Sequence, residues 1–169
     1  MKKAKPLMTT KRSWKRMTPE QLIENLLSRF TGTIAVEAWG ETSLFYNPGR
    51  LLPRGVYFAT VKQKDGENDR GSDLDRAGVF RFNVGTSKPL FLEKFGPPPS
   101  RPGKGQTIDG PWDFTALDTI TPHPVYGWMS WVSVLNPSDA TLADMDEIIE
   151  AAFQKAKTAF DKKARKNSP

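Results

Sequence analysis

Leu22, Ile23, Leu26, Leu27 and Phe30 recur at helical spacing, which predicts an amphipathic helix with one apolar face. Thr18 stands before it as N-cap, Pro19 fills the first helical position, Gln21 closes a capping box and Gly32 ends the helix. From Thr33 the period changes to two. Ile34, Val36 and Ala38 alternate with Ala35, Glu37 and Trp39, a turn at Gly40 and Glu41 follows, and TSLFY reads as a second strand. NPGRLLPRG is a loop by its Pro and Gly content. A third strand, VYFATVK, starts at Val56, and KDGENDRGSDLDRAG is a long polar connection. VFRFNVG then alternates cleanly, placing Phe80, Phe82 and Val84 inward and Val79, Arg81 and Asn83 outward.

Ser87 or Lys88 caps a short helix that begins at Pro89 and ends at Gly96. GPPPSRPGKGQ is extended, since successive prolines continue neither helix nor central strand. Residues 121–135, TPHPVYGWMSWVSVL, contain a strand that is apolar on both faces and therefore interior to its sheet. Trp128, Ser130, Val132 and Val134 share one side and Met129, Trp131, Ser133 and Leu135 the other, so one Trp lies away from the main core. Thr141 with Asp144 opens the last helix, lined by Leu142, Met145, Ile149, Ala152, Phe153, Ala156 and Phe160. The order predicts an α+β fold: an antiparallel sheet of about five strands with helices packed on one face.

At 169 residues the chain fits one domain with tails: a basic, disordered extension over 1–17, the α+β domain over 18–160 and a basic tail over 161–169. The formal charge of +6 belongs to the ends. Residues 1–17 hold seven Lys/Arg and no acid, and residues 155–169 hold six with one acid, leaving twelve basic and eighteen acidic residues between them. A folded nucleic-acid surface puts its positive charge on the fold, so the acidic body argues against one. No apolar run has the length of a membrane span, no secretory signal is evident, and the absence of cysteine excludes disulfides and thiolate metal sites. A bacterial, cytoplasmic protein is the simplest reading.

The chemistry-bearing motifs are incomplete. Asp65, Glu67 and Asp69 imitate a calcium ladder, but Arg70 and Arg76 stand where the loop needs glycine and a bidentate acid. A solvated charged loop is expected there. One histidine cannot make a three-His zinc site, so no metal and no cofactor is called for. PPSRPGKGQ fails as a phosphate-binding loop, with Pro98 in place of its first glycine and Gly105 in place of its Ser/Thr. His123, between two prolines, reads as a partly buried imidazole hydrogen-bonded in a rigid turn or as a general base with Glu37 or Glu41. KRSWKR at 11–16 interleaves Trp14 with cations, which fits either a disordered tail or weak nucleic-acid contact.

One composition suits a ligand site. On antiparallel pairing, Glu37 and Trp39 share the outward face with Arg81 and Asn83, and one Trp of 128 or 131 joins them. The expected site is Glu37, Trp39, Glu41, Arg81, Asn83, His123, Tyr126 and Trp128, with the His123–Tyr126 turn approaching the Trp39–Glu41 turn.

MTPEQLIENLLSRF, VEAWGETSLFYNPGRLLPRGVYFATVKQKDGEND, VFRFNVG and DFTALDTITPHPVYGWMSWVSVLNPS resemble a bacterial family known only as a domain of unknown function, over residues 17–160. That family is more distantly similar to the MmcQ/YjbR-like proteins, whose fold is CyaY-like. The resemblance implies an α+β fold in which VYFATVK matches an apolar strand, the 79–95 segment a strand and helix, and Phe153 an aromatic of the final helix. HPVYG departs from the basic turn of those distant relatives, which weakens a nucleic-acid role. The resemblance brings no catalytic residues and implies that residues 1–16 are either an N-terminal extension or the product of an upstream start codon read as the true one.

The reading is therefore a soluble binding domain, non-enzymatic, with a small-ligand pocket on the open sheet face. The alternatives are a nucleic-acid-associated protein acting through its basic ends and a small enzyme using His123 with Glu37 or Glu41. Oligomeric state and ligand identity are not legible.

Overall fold

Thr18 accepts a hydrogen bond from the amide of Gln21 while the Gln21 side chain accepts one from the amide of Thr18, and helix α1 (Pro19–Arg29) starts from this reciprocal cap. In the computed structural model, which describes residues 14–167, four strands follow: β1 (Thr33–Ala38), β2 (Glu41–Tyr46), β3 (Val56–Lys62) and β4 (Arg81–Gly85). Helix α2 (Lys88–Phe95) starts at a Ser87 cap. A two-residue strand β5 (Thr121–Pro122), absent from the sequence reading, precedes β6 (Trp131–Leu135). The chain ends in α3 (Asp139–Asp144) and α4 (Asp146–Lys166). The six strands form one antiparallel sheet in the order β1-β2-β3-β4-β6-β5, an α+β fold.

One face of the sheet carries Leu44, Val61, Phe82 and Val134 and is covered by Leu22 and Leu26 of α1 and Ile149, Ala152 and Ala156 of α4. Phe30, Phe58 and Phe153 meet there edge to face or tilted. The other face is roofed only in part. Loop 63–80 lies over β4, where Asp69 and Ser72 reach Arg81, and the segment 97–120 runs beside the 123–127 turn and the end of β6; they bury Leu74 and Ile108. Asp65 pins the first loop by accepting from the amide of Leu74 at 2.8 Å, and Ile108 ties the second to the 123–127 turn by donating to the Pro124 carbonyl at 2.8 Å. Over β1 and β2 that face is more open, while Thr60 and Lys62 of β3 are largely buried.

Three segments depart from the sequence reading. The last helix is two helices, begun by the Ser138 side chain three residues before Thr141 and divided at buried Met145. α4 continues through the basic residues to Lys166. The disordered extension expected over 1–17 lies mostly outside the described residues; of the part described, Lys15 and Arg16 dock on the segment after β6, with Arg16 Nη1 donating to the Asn136 carbonyl at 2.7 Å. Among the described residues no helix is long and apolar enough to cross a membrane.

Candidate functional site

The partly open face is organised in three rows that run across the strands. Glu41, Lys62 and Arg81 stand opposite one another on β2, β3 and β4 and make a charged row. Ser43, Thr60, Asn83, Ser133 and Thr121 form a row of small polar side chains across five strands. Phe45, Tyr57 and Trp131 form an aromatic row, interrupted at β4 by Gly85. The aromatic row depends on two backbone devices. Phe58 is bulged between β2 and β3, so Tyr57 and Thr60 reach the same face although they are three residues apart. Gly85 leaves room for Trp131 to lie flat on β4, because a Cβ there would meet Trp131 Cε2 at 2.7 Å.

Arg81 is the centre of the floor. It is 0% exposed, which a guanidinium tolerates only when its donors are satisfied. Nε donates to Asn83 Oδ1 at 2.7 Å, Nη1 donates to Asp69 Oδ1 at 3.0 Å and to Ser72 Oγ at 2.9 Å, and Nη2 pairs with the second Asp69 oxygen. Asn83 passes the network on, donating to Thr60 Oγ1 at 3.0 Å and accepting from Ser133 Oγ at 2.7 Å. The floor is thus rigid, and its orientation is set by strands on both sides of β4.

Buried His123 is surrounded by donors. The amides of Val125 and Tyr126 both reach Nδ1 at 3.0 Å, and Arg81 Nη2 lies 3.3 Å from Nε2. A neutral imidazole has one acceptor nitrogen. The two backbone amides cannot turn away, so Nδ1 is the acceptor and Nε2 bears the hydrogen, facing a second donor rather than an acceptor. Burial, and then the charges of Arg81 and Lys62, hold the ring well below the ordinary histidine range and keep it neutral.

This has a pH consequence. The unfolded chain takes up a proton at His123 near pH 6.5 and the folded one does not, so the stability from its neutral form is whole above that value and declines as pH falls below it. The slope reaches at most about 1.4 kcal/mol per pH unit, one proton per molecule. Thermal melts between pH 7.5 and 5 are expected to show this decline in the wild type and a flatter profile in His123→Gln. Equal profiles would mean that the ring charges in the fold.

Glu41, Ser43, Phe45, Tyr57, Thr60, Lys62, Asp69, His123, Tyr126 and Trp131 converge on one concavity of about 430 Å³. Its rim is an aromatic arc: Phe45 to Tyr57 at 5.8 Å between ring centres, Tyr57 to Trp131 at 5.4 Å, Trp131 to His123 at 6.4 Å and His123 to Tyr126 at 5.0 Å. Burial, then the neighbouring Tyr126 and Glu41, raise the Tyr57 phenol, which stays protonated. Glu41 and Lys62 face each other at 3.9 Å.

Of the sequence-predicted residues, Glu41, His123 and Tyr126 line this concavity, while Arg81 and Asn83 lie beneath it, fully buried rather than displayed. Three do not join them. Glu37 pairs with Thr42 in the row that continues to Val61 and Phe82, so it sits on the helix-covered side of the sheet, and Val36, half exposed, takes the open side. β1 is an edge strand reaching past the helices, so its apolar alternation does not mark the core face. Trp39 is in the two-residue hairpin turn with Gly40, both at positive φ (51° and 76°), and is 91% exposed at the β1 edge of the sheet, while His123 follows β5 at the opposite edge. Trp128 lies in a 3-10 turn (Gly127–Met129) closed by left-handed Ser130, and β6 begins only at Trp131. Trp131 is therefore the tryptophan of the site. Asp69, expected in a solvated loop, is the carboxylate that neutralises Arg81, with its side chain 15% exposed. A buried arginine on a strand demands such a partner, but nothing in the spacing says which acid supplies it. Among the described residues no cluster of three or more His, Cys, Asp or Glu is placed to hold a metal ion.

The chain belongs to a family of unknown function, DUF6194, whose model matches residues 17–165. No curated protein and no solved structure matches it.

Proposed function

We propose that this chain is a binding domain for a small ligand with a flat body and a hydrogen-bond acceptor, seated on the partly open sheet face. The observation that carries the reading is the meeting of the aromatic arc with Thr60, Lys62 and neutral His123 in one concavity over a hydrogen-bonded polar floor. Tyr57 and Trp131 supply apolar walls, and Thr60, Lys62 and His123 offer donors at the base, the composition of a small-molecule site.

Catalysis by His123 as a general base gains no support from its surroundings. Its Nδ1 is held by two amides rather than by an orienting carboxylate, and burial beside Arg81 lowers its basicity. Glu37 is on the opposite face, and Glu41 faces Lys62. The nucleic-acid alternative rests on the basic ends alone. Kinship with the MmcQ/YjbR-like proteins is a proposal that rests on the motif order quoted above.

A fragment screen read by the Trp131 indole NMR signal tests the reading. Flat compounds with an acceptor oxygen are expected to shift that signal saturably, and Trp131→Ala, with binding read there by calorimetry, is expected to weaken them roughly tenfold while leaving the fold intact. Hits that all map elsewhere, or bind Trp131→Ala equally well, would refute it.

A further inference from the structure

Across Tyr126 from the first concavity lies a second, of about 340 Å³, and the two share Asn68, Val125 and Tyr126 as a common wall. Its other side is the segment from Arg101 to Gly105, with Trp128. No carboxylate lines it. Among the described residues neither Arg101 nor Lys104 forms an ion pair. The Arg101 guanidinium lies over the Trp128 ring at 5.2 Å. Stacking of this kind holds the planar fork and leaves its N–H edge free to receive a two-oxygen anion. The chain turns at Gly103, whose carbonyl accepts from the Gln106 amide at 3.0 Å, and passes through Gly105 at a φ of 75°. At Gly105 no atom lies within 4 Å of where a Cβ would be, so the loop is open towards solvent. Two cations converging without an acid in a concave site raise the local concentration of anions and bind them by charge-assisted hydrogen bonds.

We propose that this second cavity takes the anionic group, phosphate or carboxylate, of the ligand whose flat body occupies the first. This rests on the reading of the first cavity and adds the class of ligand: a ring compound bearing an acidic substituent. The same segment fails as a phosphate-binding loop because prolines replace its backbone donors. Here the side chains of Arg101, stacked on Trp128, and Lys104 do the work.

Arg101 and Lys104 are exposed, so Arg101→Gln, Lys104→Gln and the double variant are expected to melt like the wild type. In the first arm, inorganic phosphate and acetate are titrated separately, with the amides of Gly103 and Gly105 and the Trp128 indole observed by NMR. Saturable shifts with either ion are expected in the wild type and are expected to vanish in the double variant; the ion that binds more tightly identifies phosphate or carboxylate. Absence of saturable shifts, or their persistence in the double variant, overturns the anion site. In the second arm, adenosine is compared with adenosine 5′-monophosphate and naphthalene with 1-naphthoate. At least one pair is expected to gain roughly tenfold in affinity from the anionic group, with the gain falling below about twofold in the double variant and shrinking with salt. No gain in either pair overturns the single-ligand proposal. The Trp131 response to the uncharged rings reports on the first cavity separately, so the two readings fail independently.

Discussion

Replacing Phe82 with alanine is expected to lower stability by about 3–5 kcal/mol, the largest loss from any single truncation of the apolar core. Phe82 is 0% exposed in the middle of β4, between Val61 on β3 and Val134 on β6. It faces the layer of α1 and α4, where Leu22, Leu26, Ile149 and Ala152 are also buried. The sheet behind it is hydrogen-bonded on both sides, so the surroundings cannot collapse into the vacated space, and a cavity cost adds to the lost burial. Urea unfolding with an unchanged m-value would give the number. A loss under about 1 kcal/mol would mean that Phe82 does not face the helices.

The alternation of β4 was legible because both faces of a central strand are demanding. Phe80, Phe82 and Val84 need apolar neighbours, while Arg81 and Asn83 need hydrogen-bond partners, and no other assignment meets both. α1 was legible because its caps are local: Thr18 and Gln21 satisfy each other within one turn. β1 was misread because an edge strand is nearly free on both sides, so Ile34, Val36 and Ala38 carry no decisive information about facing. The same local pattern misplaced Trp128. A Tyr-Gly-Trp-Met run fits a strand by composition, but the chain makes a 3-10 turn there, and the left-handed Ser130 that ends it leaves no periodic signal.

Half of the site was legible for the same reason. His123 and Tyr126 stand out as a lone imidazole and an aromatic in a proline-rich turn, and the pairing of β5 with β6 brings that turn to the sheet with His123 against Arg81. Tyr57 and Trp131 were not singled out together because their contact depends on the bulge at Phe58 and on Gly85, two irregularities that a period-two reading passes over. Asp69 was hidden by the length of its loop. Eleven positions separate it from Arg81 in a polar connection, and hydrogen bonds within it, among them those of Asp65 to residues 74 and 75 and the paired amides of Gly66 and Asp69, shape its return over the sheet.

Removing the guanidinium of Arg81 is expected to rival the loss at Phe82, for the opposite physical reason. Arg81→Ala leaves Asp69 with no counter-charge in a largely buried site, and takes one partner each from Ser72 and Asn83. Breaking one side of a buried pair costs about 3–5 kcal/mol, because the remaining charge is desolvated without compensation. Arg81→Lys keeps the charge but offers a point donor in place of a planar fork, so it is expected to recover less than half of the loss. A double-mutant cycle separates pairing from packing. If the ion pair dominates, Asp69→Asn with Arg81→Met costs less than the sum of the two single changes by about 2 kcal/mol or more, since neither charge is then left alone. Additive costs would place the stability in the contacts of the arginine stem and not in the pair. The cycle also bears on binding. If the floor holds His123 and Thr60 in position, the double variant folds but loses its response at the Trp131 indole, and a retained response would show that the aromatic arc alone carries the ligand.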